Sequence, residues 1–160
     1  MKSGVNEIIS GVVGLPCSRK EVGRSRSLSL GFGGEVRSSV KLNDKLYREW
    51  EIGTYRSAWR VVCGGTVLCG SQDVVDSIDE LDAALQKIEL GRFVSLRMID
   101  DLDIRIEFDN GKAVDFLSTM SDEDEVLHIF CPDRRVVEFS VRGGWKTGPT
   151  DRPLAEGLVP

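Results

Sequence analysis

Tyr47-Arg48-Glu49-Trp50-Glu51-Ile52-Gly53-Thr54-Tyr55-Arg56-Ser57-Ala58-Trp59-Arg60-Val61-Val62-Cys63-Gly64-Gly65-Thr66-Val67-Leu68 is the stretch whose reading decides the fold. It holds both tyrosines and two of the three tryptophans. Trp50, Ile52, Trp59 and Val61 alternate with polar residues, which is the period of a half-buried strand. A loop over Gly53–Ala58 would set Ile52 opposite Trp59, Glu51 opposite Arg60 and Trp50 opposite Val61. Facing aromatic and β-branched side chains contribute about 0.2–1 kcal/mol per pair. An exposed Glu–Arg pair adds little. Gly64-Gly65 then marks a two-residue turn that needs positive φ. The expectation is a three-stranded meander.

Upstream, Asn6–Val13 has Ile8, Ile9, Val12 and Val13 on one helical side, weakened by Gly11. Leu15-Pro16 ends it. Cys17–Val22 and Ser27–Phe32 read as strands, the second with Leu28, Leu30 and Phe32 on one face. Gly33-Gly34 reads as a turn, Val36–Leu42 as an extended polar segment and Asn43-Asp44 as a loop.

Downstream, Ser77 and Glu80 have capping-box spacing, and Ile78, Leu81 and Leu85 share a helical face. This predicts a short helix over Ser77–Leu85. Gln86–Met98 reads as a long strand kinked at Gly91. In Leu102–Phe108, Leu102, Ile104, Ile106 and Phe108 alternate with Asp103, Arg105 and Glu107. Asp109-Asn110-Gly111 is a hairpin turn, and Lys112–Leu117 returns. Ser121–Glu125 is an acidic loop. Val126–Cys131 and Arg135–Val141 are the last strands. From Arg142 onward glycines and prolines mark a loose tail, with Trp145 as an anchor at its start.

The fold class is therefore α+β, mainly β, with two similar antiparallel sheet units and one or two short helices. Residues 1–70 form the first unit, 71–141 the second and 142–160 a flexible tail, within a single compact domain. Four segment matches suggest an internal duplication. Glu21-Val22-Gly23-Arg24 matches Glu89-Leu90-Gly91-Arg92, and Leu30-Gly31-Phe32 matches Ile106-Glu107-Phe108. Trp50-Glu51-Ile52 sits against Leu127-His128-Ile129, and Arg60-Val61-Val62 matches Arg135-Val136-Val137. Chance likeness between strand-rich segments stays open as the alternative.

The 160 residues are 41% hydrophobic and 29% charged, ordinary for one globular domain. The net charge of −5 conceals a division. Residues 1–70 carry 11 basic and 6 acidic side chains, or +5, while residues 71–141 carry 7 and 18, or −11. The overall acidity argues against nucleic acid, which needs a concentrated basic face. The division has three readings: the halves attract each other within one molecule, copies meet basic half to acidic half as a homodimer, or the charges are solvated surface with no partner. No apolar run approaches the ~20 residues of a membrane helix. No basic cluster and apolar core open the chain, so no export signal is expected and reduced cytoplasmic thiols follow.

Chemistry is sparse. Cys17, Cys63, Cys69 and Cys131 are scattered, and His128 is the single histidine. A strand spacing of three puts His128 and Cys131 on opposite faces, which speaks against a shared metal. No base is placed beside a thiol nucleophile. Gly31-Phe32-Gly33-Gly34 lacks the strand-to-helix context of a phosphate loop. No catalytic residue, metal or cofactor is assigned. Asp100, Asp101 and Asp103 cluster at one turn, and Asp122, Glu123, Asp124 and Glu125 at another. They are solvated turn residues or contacts for a basic partner. Tyr55 and Arg56, in the predicted loop, are the exposed aromatic and cationic contacts.

Gly14-Leu15-Pro16-Cys17, Leu28-Ser29-Leu30-Gly31-Phe32-Gly33, Trp50-Glu51-Ile52, Trp59-Arg60-Val61 and Gly70-Ser71 resemble a group of small uncharacterised bacterial proteins, over roughly Ile8 to Val141. The resemblance carries no activity. It implies a compact cytoplasmic protein without catalytic signatures, with toxin-neutralising immunity proteins as an analogy. Two functions follow as expectations. One is a non-catalytic protein-binding module that uses the nine turn and loop residues named above. The other is a small-ligand binder or enzyme with a pocket between the two β units.

Overall fold

The computed structural model describes residues 3–36, 47–121 and 125–150. In chain order the strands are β1 (Cys17–Val22), β2 (Leu28–Val36), β3 (Tyr47–Thr54), β4 (Ala58–Cys63), β5 (Thr66–Gly70), β6 (Phe93–Met98), β7 (Ile104–Phe108), β8 (Lys112–Leu117), β9 (Glu125–Phe130), β10 (Arg135–Ser140) and β11 (Gly144–Pro149). The helices are α1 (Ser3–Ile8) and α2 (Ile78–Gln86). Two antiparallel sheets result, with orders β1-β2-β3-β9-β10-β11 and β5-β4-β8-β7-β6. The protein is mainly β, as its alternating side chains require.

The aromatic stretch does not close into a hairpin. Ile52 pairs with Leu30 of β2 and Ile129 of β9, whereas Trp59 pairs with Phe116 of β8. Tyr55–Ser57 carries the chain from one sheet to the other. The alternation was legible, and β4 pairs with β5 across the expected Gly64-Gly65 turn, but β3 lies between β2 and β9, and the other neighbour of β4 is β8. Trp50, Ile52, Trp59 and Val61 all enter the core between the sheets. Glu51 and Arg60, expected side by side, sit on the two outer faces, where Glu51 meets Arg19 and Arg60 meets Asp115.

One continuous core joins the sheets. Phe32 stacks on Phe108 at 6.2 Å and meets Phe93 edge-on at 5.7 Å. Trp59 is 1% exposed, and its indole N–H donates to the Arg26 carbonyl at 2.8 Å. Arg26 in turn donates to the Ser71 and Asp73 carbonyls, both at 2.7 Å, tying the β1–β2 connection to the one leaving β5. Val5, Ile9 and Val12 of the N-terminal helical turns belong to the same core.

The helix expected over Ser77–Leu85 is α2. The Ser77 hydroxyl accepts the Glu80 N–H at 3.2 Å, which satisfies an otherwise unpartnered first-turn donor. Leu81 and Leu85 are fully buried. Asp82 Oδ1 accepts the Val22 N–H at 2.8 Å, docking the helix on β1. Lys20 Nζ donates to the Gln86 carbonyl at 3.2 Å and also to Ile88, placing a cation on the helix C-terminus.

Three further expectations change. Gly33-Gly34 is not a turn: β2 runs on to Val36 through a bulge between Phe32 and Glu35. The long strand over Gln86–Met98 shortens to β6, because α2 ends at Gln86 and Gly14–Cys17 pairs with Gly91–Phe93. The tail after Arg142 begins with a strand, β11, where Trp145 packs on Phe139 at 5.1 Å. Val36–Leu42 falls largely outside the described residues, and Asn43-Asp44 wholly so.

Each sheet takes strands from both halves of the chain. The order of connections in β1–β5, three strands in one sheet and then two in the other, recurs in β6–β10. The four segment matches do not follow that recurrence. Only Leu30–Phe32 with Ile106–Phe108 falls on corresponding strands, β2 and β7, so the sequence likeness does not establish a duplication. Among the described residues no helix is long and apolar enough to cross a membrane.

Candidate functional site

The two places where the chain changes sheets lie side by side. Tyr55–Ser57 joins β3 to β4, and the connection after Leu117 joins β8 to β9. They are laced together. The Ser57 hydroxyl donates to the Leu117 carbonyl at 2.6 Å. Glu125 Oε1 accepts the Tyr55 N–H at 3.0 Å, and its Oε2 lies 3.0 Å from His128 Nδ1. Arg56 Nη2 is 3.8 Å from Met120 Sδ. The His128 ring is held between Tyr55, at 4.5 Å, and Phe130, at 5.1 Å.

The acidic turn between β6 and β7 joins the same rim. Asp103 Oδ1 accepts the Ser118 N–H at 2.8 Å, and the Ser118 hydroxyl donates to the Leu102 carbonyl at 2.5 Å. Asp100 Oδ1 accepts the Leu102 and Asp103 N–H groups, which hold its carboxyl below the ordinary value. Asp101 is exposed at the tip. Of the nine residues expected at a contact surface, Tyr55, Arg56, Asp100, Asp101, Asp103 and Glu125 therefore come to one rim. Asp122, Glu123 and Asp124 lie outside the described residues. Glu125 serves mainly as the clasp between the crossovers, since its side chain is 17% exposed.

The periodic pattern missed the apolar part of this rim. Ile99, Leu102 and Val141 are 39%, 44% and 37% exposed. Exposed aliphatic residues flanking Asp100-Asp101 were the available signal. A depression lined by Ser57, Ser118, Met120, Glu125 and Val141 measures about 10 Å³, room for about one water. The space between the sheets, each of which takes strands from both halves of the chain, is occupied by Phe32, Trp59, Phe93 and Phe116.

Two carboxylates are buried on opposite outer faces. Glu51, 1% exposed, receives Arg19 at 3.1 Å, the Arg48 N–H at 2.9 Å and the Ser29 hydroxyl at 3.2 Å. Burial raises its carboxyl above the ordinary value despite those donors. A raised carboxyl stabilises the fold while protonated and loses that contribution as pH rises through its folded value. Stability of the wild type relative to Glu51→Gln should therefore fall as pH climbs from the ordinary glutamate value, about 4.3. Urea titrations across that window check this, and a difference that stays flat would contradict it.

Three of the four thiols are poor nucleophiles. Burial pushes Cys17 up to about 12, and Cys69 and Cys131 up to about 11. The Cys131 sulfur lies 3.9 Å from the Ile129 carbonyl, and His128 Nδ1 is engaged by Glu125. Among the described residues no three Cys, His, Asp or Glu side chains converge as metal ligands. Comparison with protein-family models, curated proteins and solved structures gives no match, so what this rim does rests on its own geometry.

Proposed function

We propose that the chain is a non-catalytic binding module that meets a basic protein partner at the rim of the two crossovers and the β6–β7 turn, with an immunity-like role as its most specific form. The observation that carries this is the convergence of residues distant in sequence. Hydrogen bonds tie Tyr55 to Glu125 and the Asp100–Asp103 turn to Ser118, beside the contact of Arg56 with Met120. Carboxylates around exposed aliphatic side chains suit a partner with lysine or arginine beside an apolar anchor. The four unpaired cysteines support a reducing, cytoplasmic setting.

The test is capture from a bacterial lysate by wild type, Asp101→Lys and Leu102→Ala, at low salt and at about 0.5 M salt, where exposed charge pairs are screened. Asp101 and Leu102 are exposed, so both variants keep the fold. The expected result is one partner held by the wild type at low salt, weakened about tenfold by high salt and by either substitution. A partner held equally by all three proteins would remove the rim from the interaction, and no partner at either salt would end the proposal.

A further inference from the structure

We propose that β5 is a self-association edge, through which two copies pair antiparallel and join their five-stranded sheets into one. A strand at the edge of a sheet leaves a row of backbone donors and acceptors open to another strand, and proteins blunt such edges with charge, proline or cover. Among the described residues, three of the four sheet edges are blunted by charge, proline or cover. β1 carries Arg19, Lys20 and Glu21 and lies under α2. β6 carries Arg97, and its Phe93 amide and carbonyl are already bonded to Leu15 and Gly14. β11 carries Lys146 and ends at Pro149.

β5 is short and bulged, but it has no charge, proline or covering element at its exposed end. It lies within Val61–Gln72, twelve consecutive residues without a charge in a chain that is 29% charged. Its Cys69–Gly70 end is buried, and Asp73 accepts the Gly70 N–H at 3.2 Å. Its Thr66–Leu68 end is open. Val67 is 52% exposed and Leu68 is 40% exposed. Leu68 is the extra residue of a bulge, since Val61 pairs with Cys69 and Val62 with Val67, so it has no partner on β4. Val74, fully exposed, follows on the connection leaving the same edge.

The occupant is a second copy because of what a twofold contact demands. In an isologous pair, residues near the axis meet their own counterparts. A charged residue on the axis would then meet like charge, as Lys20 of β1, Arg97 of β6 or Lys146 of β11 would, whereas Val67 and Leu68 meet Val67 and Leu68. The contact is short and falls below the roughly 1,200 Å² of a standard interface, so the dimer is weak and concentration-dependent.

Sedimentation of the full chain under reducing conditions, which keep the exposed Cys63 from cross-linking, tests this. Over about 10 to 500 µM the mass should rise from 17.7 kDa toward twice that value. Val67→Lys and Val67→Glu should each weaken association about tenfold or more by setting like charges against each other. An equimolar mixture of the two should restore it. Circular dichroism checks that each variant is folded. A wild type that stays at the protomer mass, a dimer indifferent to both substitutions, or a mixture that fails to restore association would each overturn the proposal.

Discussion

Asp115→Ala is expected to lower the stability of the protein by about 3 kcal/mol, the low end of the cost of breaking a buried ion pair. The carboxylate is 0% exposed on the outer face of the second sheet, covered by two guanidinium groups. Arg105 Nε donates to Oδ1 at 2.6 Å and Arg105 Nη2 to Oδ2 at 2.9 Å. Arg60 Nε reaches Oδ2 at 2.8 Å. The side chains of Arg60 and Arg105 are 42% and 27% exposed, so water recovers part of their solvation once Asp115 is gone. That places the cost at the low end. Denaturant titration measures it, and a loss below about 1 kcal/mol would show that the arginines gain little from this carboxylate.

The same group sets an acid limb. Burial alone would raise the Asp115 carboxyl, but the Arg105 and Arg60 hydrogen bonds outweigh it and hold the group below the ordinary value. A depressed carboxyl contributes stability above its unfolded value, about 3.9, and loses it as pH falls through the lower folded value. Asp115→Asn should flatten the stability profile in that window. Glu51 slopes the opposite way, so the two buried carboxylates are separable by pH.

The second large effect is Gly53→Ala, which should cost about 3 kcal/mol, the upper end of what overpacking does to a core. A Cβ at Gly53 would lie 2.0 Å from the Leu28 carbonyl oxygen and 3.2 Å from the Ser29 Cα. Those are backbone atoms of the neighbouring strand β2, so no side chain can rotate away. Gly53 pairs with Ser29 on one side and His128 on the other, so the strain spreads directly into the Glu125–His128 clasp. The melting temperature should fall by roughly 6–12 °C for a chain of this size. Gly65→Ala is the control: nothing lies within 4 Å of its added Cβ, so its melting temperature should hardly move. Equal melting temperatures for the two variants would disprove the close approach at Gly53.

The rim was half legible. Tyr55 and Arg56 stood out because they fall in the expected Gly53–Ala58 loop, and Asp100–Asp103 because charge gathers at a turn. That the two surfaces touch was not legible. It depends on the Ser118 bridge to Asp103 and on the Glu125 link to Tyr55, contacts across 15 and 70 residues of chain. Asp115 gave no signal either, since a charged residue at an outward strand position is ordinarily solvated.

Alone, the amino-acid sequence determined most of the inward-facing residues, Leu102 excepted, where the chain turns at Gly64-Gly65 and Asn110-Gly111, and where α2 starts at Ser77. These are local properties, set by backbone sterics and by the two-residue and 3.6-residue periods. Tertiary structure decided which strands are neighbours. Trp59 could satisfy its alternation opposite Ile52 or opposite Phe116, and only the closing of one core across two sheets selects Phe116. Backbone hydrogen bonds are alike in either pairing, so packing between distant segments makes the choice.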